Sequence, residues 1–215
     1  SEYDNIRGAL GDRRLQNSRL GISMTLLTVL SGEDYGAAVR CGVSPPTSII
    51  GSTDPNAPLF LRLANQVGRE LARRHDWQRL KVDFTFLSLA TEAQTALPAA
   101  FDHFVPYGEL WNRSLSQPYC GPTDDTTWGR IKGTGVTGVT PGYWRMIGGG
   151  IEITPAPTAG QTLAIPYISK YWVRPASGSD KGSFTLDTDT SLIDEELLTL
   201  GIVWAWKSSK GFDYA

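Results

Sequence analysis

The chain has 215 residues, of which 40% are hydrophobic, 20% charged and 10% aromatic, enough to bury a sizeable core in one large domain or in a core domain with one insertion. That composition excludes disorder as the state of the whole chain. A formal net charge of −2 excludes a protein whose main task is to neutralise duplex phosphates, because that work needs a basic excess.

Residues 1–23 are polar and lack a sustained apolar period, so they read as an extended arm, and the expectation is that a neighbouring copy orders it. The run from Leu20 to Leu30 follows Arg13, Arg14 and Arg19, but Gly21, Ser23, Thr25 and Thr28 dilute it and no small-x-small site follows, so it is not a signal peptide. No stretch approaches the ~20 apolar residues that span a bilayer. The expected setting is therefore a reducing cytoplasm without membrane contact, with Cys41 and Cys120 as free thiols.

A short helix is predicted from about Met24. Residues 42–58 hold Pro45, Pro46, Gly51, Pro55 and Pro58 and form an irregular connection. Phe60, Leu63, Ala64, Val67 and Leu71 then recur at helical spacing behind a cap at Asp54 or Asn56, predicting a helix over 58–75 with Arg62, Arg69, Arg73 and Arg74 on its polar face. After Trp77 the period changes to two, with Val82, Phe84 and Phe86 on one side of a strand. Further strands are predicted at 108–111, 143–147, 151–154 and 163–171, with Gly148-Gly149-Gly150 as a hairpin turn.

The last predicted helix spans 191–210, opened by Ser191 with Asp194, Glu195 and Glu196 in its first turn and closed by Lys207 and Lys210, an order that suits the helix dipole. Ile193, Leu197, Leu200 and Trp204 fall on one stripe. With Val203 beside them, they are expected to pack on the 58–75 helix, which leaves Trp206 for the rim or for a partner. The expected fold is α+β: terminal helices in a small helical bundle, with an antiparallel β-rich domain inserted between them. The divisions are an arm at 1–23, a helical scaffold at 24–80, a β-rich insertion at 81–190 and a returning helix at 191–215.

The chemistry-bearing patterns are weak. Cys41, Cys120, His75 and His103 have no metal-ligand spacing, so neither metal nor cofactor is expected. Gly133-Thr134-Gly135-Val136-Thr137-Gly138 matches a dinucleotide fingerprint, yet Trp128-Gly129-Arg130-Ile131-Lys132 upstream is no apolar strand and Pro141 follows too soon, so it reads as a flexible or turning loop. Asp124 and Asp125 are sequence neighbours that cannot face each other across a sugar ring, and they read as a turn followed by a cap. Asp102-His103 lacks a Gly-x-Ser-x-Gly nucleophile and reads as a hydrogen-bonded surface histidine. Trp111, Trp128, Trp144 and Trp172 read as core rather than as a sugar platform. The sequon at Asn112 has no secretion signal to give it weight. Arg69, Arg73 and Arg74, with Trp206, Lys207 and Lys210, are the expected partner interface, and the arginines are expected to meet acidic groups of a partner or a neighbouring copy.

Several segments resemble the head-to-tail adaptor (connector) proteins of tailed bacteriophages: Met24-Thr25-Leu26-Leu27, Ile49-Ile50-Gly51-Ser52-Thr53-Asp54-Pro55, and Leu63-Ala64-Asn65 through Gly68-Arg69-Glu70-Leu71-Ala72-Arg73-Arg74-His75-Asp76-Trp77. Leu97-Pro98-Ala99-Ala100-Phe101-Asp102, Glu109-Leu110-Trp111-Asn112-Arg113 and Ile165-Pro166-Tyr167-Ile168-Ser169 continue it. The resemblance implies a structural virion protein and no enzyme. Copies would form a ring with the portal's twelvefold symmetry, between portal and tail at the head-tail junction, leaving a channel through which DNA passes without specific binding. Met24 resembles the usual start and further helical residues are expected beyond Ala215, so a portal contact made by a C-terminal tail is in doubt. The competing readings are a particle-borne cell-wall glycoside hydrolase using Asp124 and Asp125, and a carbohydrate-binding module using the tryptophans.

Overall fold

A computed structural model describes residues 25–32, 36–135 and 142–211. The arm expected at 1–23, its proposed ordering by a neighbour, and the end of the glycine-rich run at 136–138 lie outside the described residues. The class is α+β, and the chain divides into two compact units. One comprises residues up to Ala72 together with those from Trp172 onward; the other is the continuous segment Arg73–Tyr171, which in sequence stands inserted in the first.

The first unit is mainly helical. Helix α1 (Leu26–Ser31) starts where the Thr25 side chain accepts the Thr28 N–H, and it buries Leu26, Val29 and Leu30 at three- and four-residue spacing. Helix α2 (Ala37–Arg40) follows. The irregular connection after it is held by Asp187, whose carboxylate accepts from Ser48 Oγ at 2.9 Å, Ile49 N at 3.2 Å and Ile50 N at 2.9 Å. Helix α3 (Ala57–Arg74) lies within a residue of its predicted span and buries Ala57, Phe60, Leu63, Ala64, Val67, Gly68 and Ala72. Gly68 faces the indole of Trp172 so closely that no Cβ would fit. Trp172 also donates its Nε1–H to Gly182 O at 3.0 Å and meets Phe184 edge-on at 4.9 Å.

Helix α5 (Glu195–Ser209) closes the unit and packs on α3: the rings of Phe60 and Trp206 stack at 4.4 Å and 8°, and Gly201 leaves room for Val67. Its cap is Asp194, which accepts the Leu197 N–H at 2.9 Å, not Ser191. Ser191 instead ends a two-stranded ladder with Val173–Arg174, because its hydroxyl turns the chain by accepting the Ile193 N–H. The expected inward face of α5 is corrected as well. Leu198, Thr199, Ile202 and Trp206 are buried, whereas Leu197, Leu200 and Trp204 are 41%, 47% and 55% exposed.

The second unit is built on strands β1 (Lys81–Leu87) and β8 (Thr162–Ser169), antiparallel over the full length of β1. The other edge of β8 is shared end to end: β4 (Leu110–Asn112) takes Leu163 and Ala164, and β3 (Phe101–Phe104) takes Tyr167 to Ser169. β5 (Gln117–Tyr119) extends the sheet beyond β4. A second sheet orders β2 (Ala93–Ala96), β7 (Gly150–Thr154) and β6 (Tyr143–Ile147). The β6–β7 hairpin turns at Gly148 and Gly149, with φ of 56° and 76°, the doubly left-handed turn that suits strand twist and requires glycine-like residues.

Leu110, Tyr119, Trp144, Ile151, Ile153, Leu163 and Ile165 form the core of this unit. Each fully buried aliphatic side chain there contributes about 1.5–3 kcal/mol.

Helix α4 (Asp125–Thr134) is not foreseen by the sequence reading. It begins at Asp124, whose Oδ1 accepts the Thr127 N–H at 2.9 Å, and ends at Gly135 with φ 61°. Gly133 and Thr134 are thus helical rather than loop. Gly129 and Gly133 weaken the propensity, and burial of Trp128 and Ile131, one turn apart, compensates for them.

Candidate functional site

Two surfaces hold the predicted site residues. On α3, Arg62, Arg69, Arg73 and Arg74 are exposed, as an amphipathic helix requires once its apolar stripe is buried. Arg73 reaches toward Asp102, Nε to Oδ1 at 3.7 Å. The same carboxylate belongs to a tighter arrangement around His103: Asp102 Oδ2 lies 2.8 Å from Nδ1, and Asp76 Oδ1 lies 3.0 Å from Nε2. A neutral imidazole donates from one nitrogen only, so holding two carboxylates requires the imidazolium. The hydrogen bond that His103 donates to Asp102 is the largest cause raising the His103 pKa, partial burial opposes it, and Asp76 adds to it. With carboxylates on both ring nitrogens, His103 has no nitrogen left to activate a serine, so this is a structural clamp.

On α5, the structure corrects the role expected of Trp206. It is 4% exposed, stacked on Phe60, and covered by Lys210 Nζ at 4.9 Å from the ring, so it belongs to the core and is no rim anchor. Lys207 is half-buried near Cys41, whose thiol pKa is raised by burial, an effect that Lys207 opposes. What faces outward instead is the stripe of Leu197, Leu200 and Trp204. Sequence reasoning found that stripe but turned it inward.

The catalytic-looking residues have structural roles. Asp124 caps α4, and Asp125 pairs with Arg145 at 3.1 Å. Arg145 also pairs with Glu152 at 2.8 Å and lies over the Trp128 ring at 4.6 Å, so one guanidinium pins α4 to the β6–β7 hairpin. Trp144 and Trp172 are fully buried and Trp128 is 5% exposed, which leaves Trp111 as the exposed member of the four tryptophans considered as a sugar platform. Asn112 is buried and donates to Gln161 Oε1 at 2.8 Å. A hollow of about 570 Å³ between residues 43–47 and 52–56 holds one carboxylate, Asp54, which is engaged by Asn56 N at 2.8 Å. Among the described residues no group of three or more His, Cys, Asp or Glu is placed to hold a metal ion, and no helix is long and apolar enough to cross a membrane.

Exposed arginines on α3 and an outward apolar stripe on α5 are each the kind of surface that binds other proteins. No curated protein matches the chain. Residues 37–215 match the family described as SU10 adaptor protein, a phage head-tail adaptor family with a structural role. By that match over most of its length, the chain belongs to the SU10 adaptor protein family.

Proposed function

We propose that this chain is the subunit of a ring, twelve copies to match a portal, that sits between portal and tail at the head-tail junction and leaves a channel for DNA. Family membership over residues 37–215 carries the reading. The structural roles of Asp124 and Asp125 favour it over a cell-wall hydrolase, since each carboxylate is already committed to a cap or an ion pair. In this reading the protein is not an enzyme. Arg69, Arg73 and Arg74 face acidic protein groups, because a channel that passes DNA should not grip it.

The test is the native mass of the chain alone and mixed with portal and with tail-completion protein. A ring of portal stoichiometry is the expected result. Persistent monomers in every mixture would overturn the reading, as would tight, salt-sensitive DNA binding lost on mutating the three arginines. Peptidoglycan turnover abolished by Asp125→Asn would establish the hydrolase instead.

A further inference from the structure

Helix α5 is apolar on two opposite sides. At about 100° per residue, Leu197, Leu200 and Trp204 fall within roughly 60° of one another, directly across the helix from Leu198, Ile202 and Trp206. The inner set is buried on its own unit; the outer set is about half exposed. A helix apolar all round is one that is buried on both sides. Its second face therefore calls for a second surface, with a tryptophan of the kind that anchors interfaces.

We propose that this outer stripe seats on a second copy of the chain, against the α3 face that carries Arg62 and Arg69. The proposal rests on the ring reading above and names its subunit contact. Charge and spacing select the occupant. The stripe starts beside the exposed carboxylates Asp194 and Glu196, whereas the exposed side of α3 is basic. Leu197 and Trp204, like Arg62 and Arg69, stand seven positions apart, about two helical turns or 10.5 Å, so the two strips match in length. Arginine stems cover apolar side chains while their heads reach carboxylates.

A stable interface needs about 800 Å² per partner, more than three side chains supply, so the charged flanks must take part. Joining two different surfaces of the same chain is a head-to-tail contact, the kind that closes into rings.

The experiment measures assembly of the full chain, alone and with portal, by light scattering and native mass, with circular dichroism as the control for folding. Leu200→Glu changes an exposed residue, so the fold should persist while the concentration for half-assembly rises at least about tenfold. Arg69→Glu should act likewise, and it carries the test if Leu200→Glu lowers the melting temperature. Combining Arg69→Glu with Glu196→Arg should restore assembly. Intact rings from folded Leu200→Glu and Arg69→Glu proteins would overturn the contact while leaving the ring standing. Intact rings that lose portal binding would assign the stripe to the portal. A wild-type chain that stays monomeric with portal present would remove the ring reading, and this contact with it.

Discussion

Replacing Trp206 by alanine should unfold the helical unit far more readily than replacing Leu200, though both lie on α5. Trp206 is 4% exposed, and its ring stacks on Phe60 at 4.4 Å under Lys210, so truncation leaves a cavity between α3 and α5 that the surrounding side chains fill only in part. Large-to-small changes of buried aromatics cost about 3–5 kcal/mol, and the lost ring stacking lies within that sum. Leu200 is 47% exposed, and Leu200→Ala keeps a good helix former, so its cost should stay near 0.5 kcal/mol. With a urea m-value of roughly 2–3 kcal/mol/M, Trp206→Ala lowers the midpoint by about 1–2 M and Leu200→Ala by about 0.2 M. Urea melts followed by far-ultraviolet circular dichroism measure both. If Leu200→Ala proved the more destabilising of the two, the assignment of the two faces of α5 would be wrong.

Three further outcomes are expected. The His103 pKa is raised in the folded protein, chiefly by Asp102, so its stabilising effect is full below the unfolded value of about 6.5 and is lost as pH rises through the raised folded value; urea melts at pH 6 and pH 8.5 should show that loss, and His103→Asn should abolish the difference. Burial pushes the Asp189 carboxyl up, but Lys181, Thr185 N and Leu186 N together hold it below the ordinary carboxylate range. Its contribution is therefore present above the unfolded carboxylate pKa and is lost as pH falls through the folded one; Asp189→Asn should cost about 3 kcal/mol near neutral pH and flatten that acid limb in urea melts. Gly68→Ala should destabilise by about 1–3 kcal/mol despite better helix propensity, because the new methyl group overlaps the Trp172 ring, whereas Gly129→Ala, with open space around it, should stabilise by about 0.5–1 kcal/mol; thermal melts of opposite sign would check both.

Local signals that needed no partner were legible in the sequence. The three-and-four spacing from Phe60 to Leu71 located α3 to within a residue, because one amphipathic face can pack in only one way. The Gly148-Gly149-Gly150 turn located the β6–β7 hairpin, because few residues other than glycine take two successive left-handed conformations. Asp124 was legible as a cap, but the helix behind it was not, since Gly129 and Gly133 mask a segment that burial of Trp128 and Ile131 stabilises. Strands β2, β3 and β5 hold three or four residues each, too few to show a period, and exist because β7, β8 and β4 offer them edges.

The decisions left to tertiary structure are those in which two local answers are equally good. Helix α5 has two apolar stripes, and nothing in its own sequence ranks Leu197-Leu200-Trp204 below Leu198-Ile202-Trp206. The choice is made by α3, where Phe60 offers Trp206 a ring to stack on and Val67 fits against Gly201. The His103 clamp likewise joins residues 27 positions apart, and Asp76 meets the imidazole only because β3 pairs with the far end of β8. Sequence alone determined that α5 is a helix, with an acidic start, a basic finish and a stripe of apolar residues at helical spacing. Which side it gave to its own fold, and so which side it offers outward, was determined by packing.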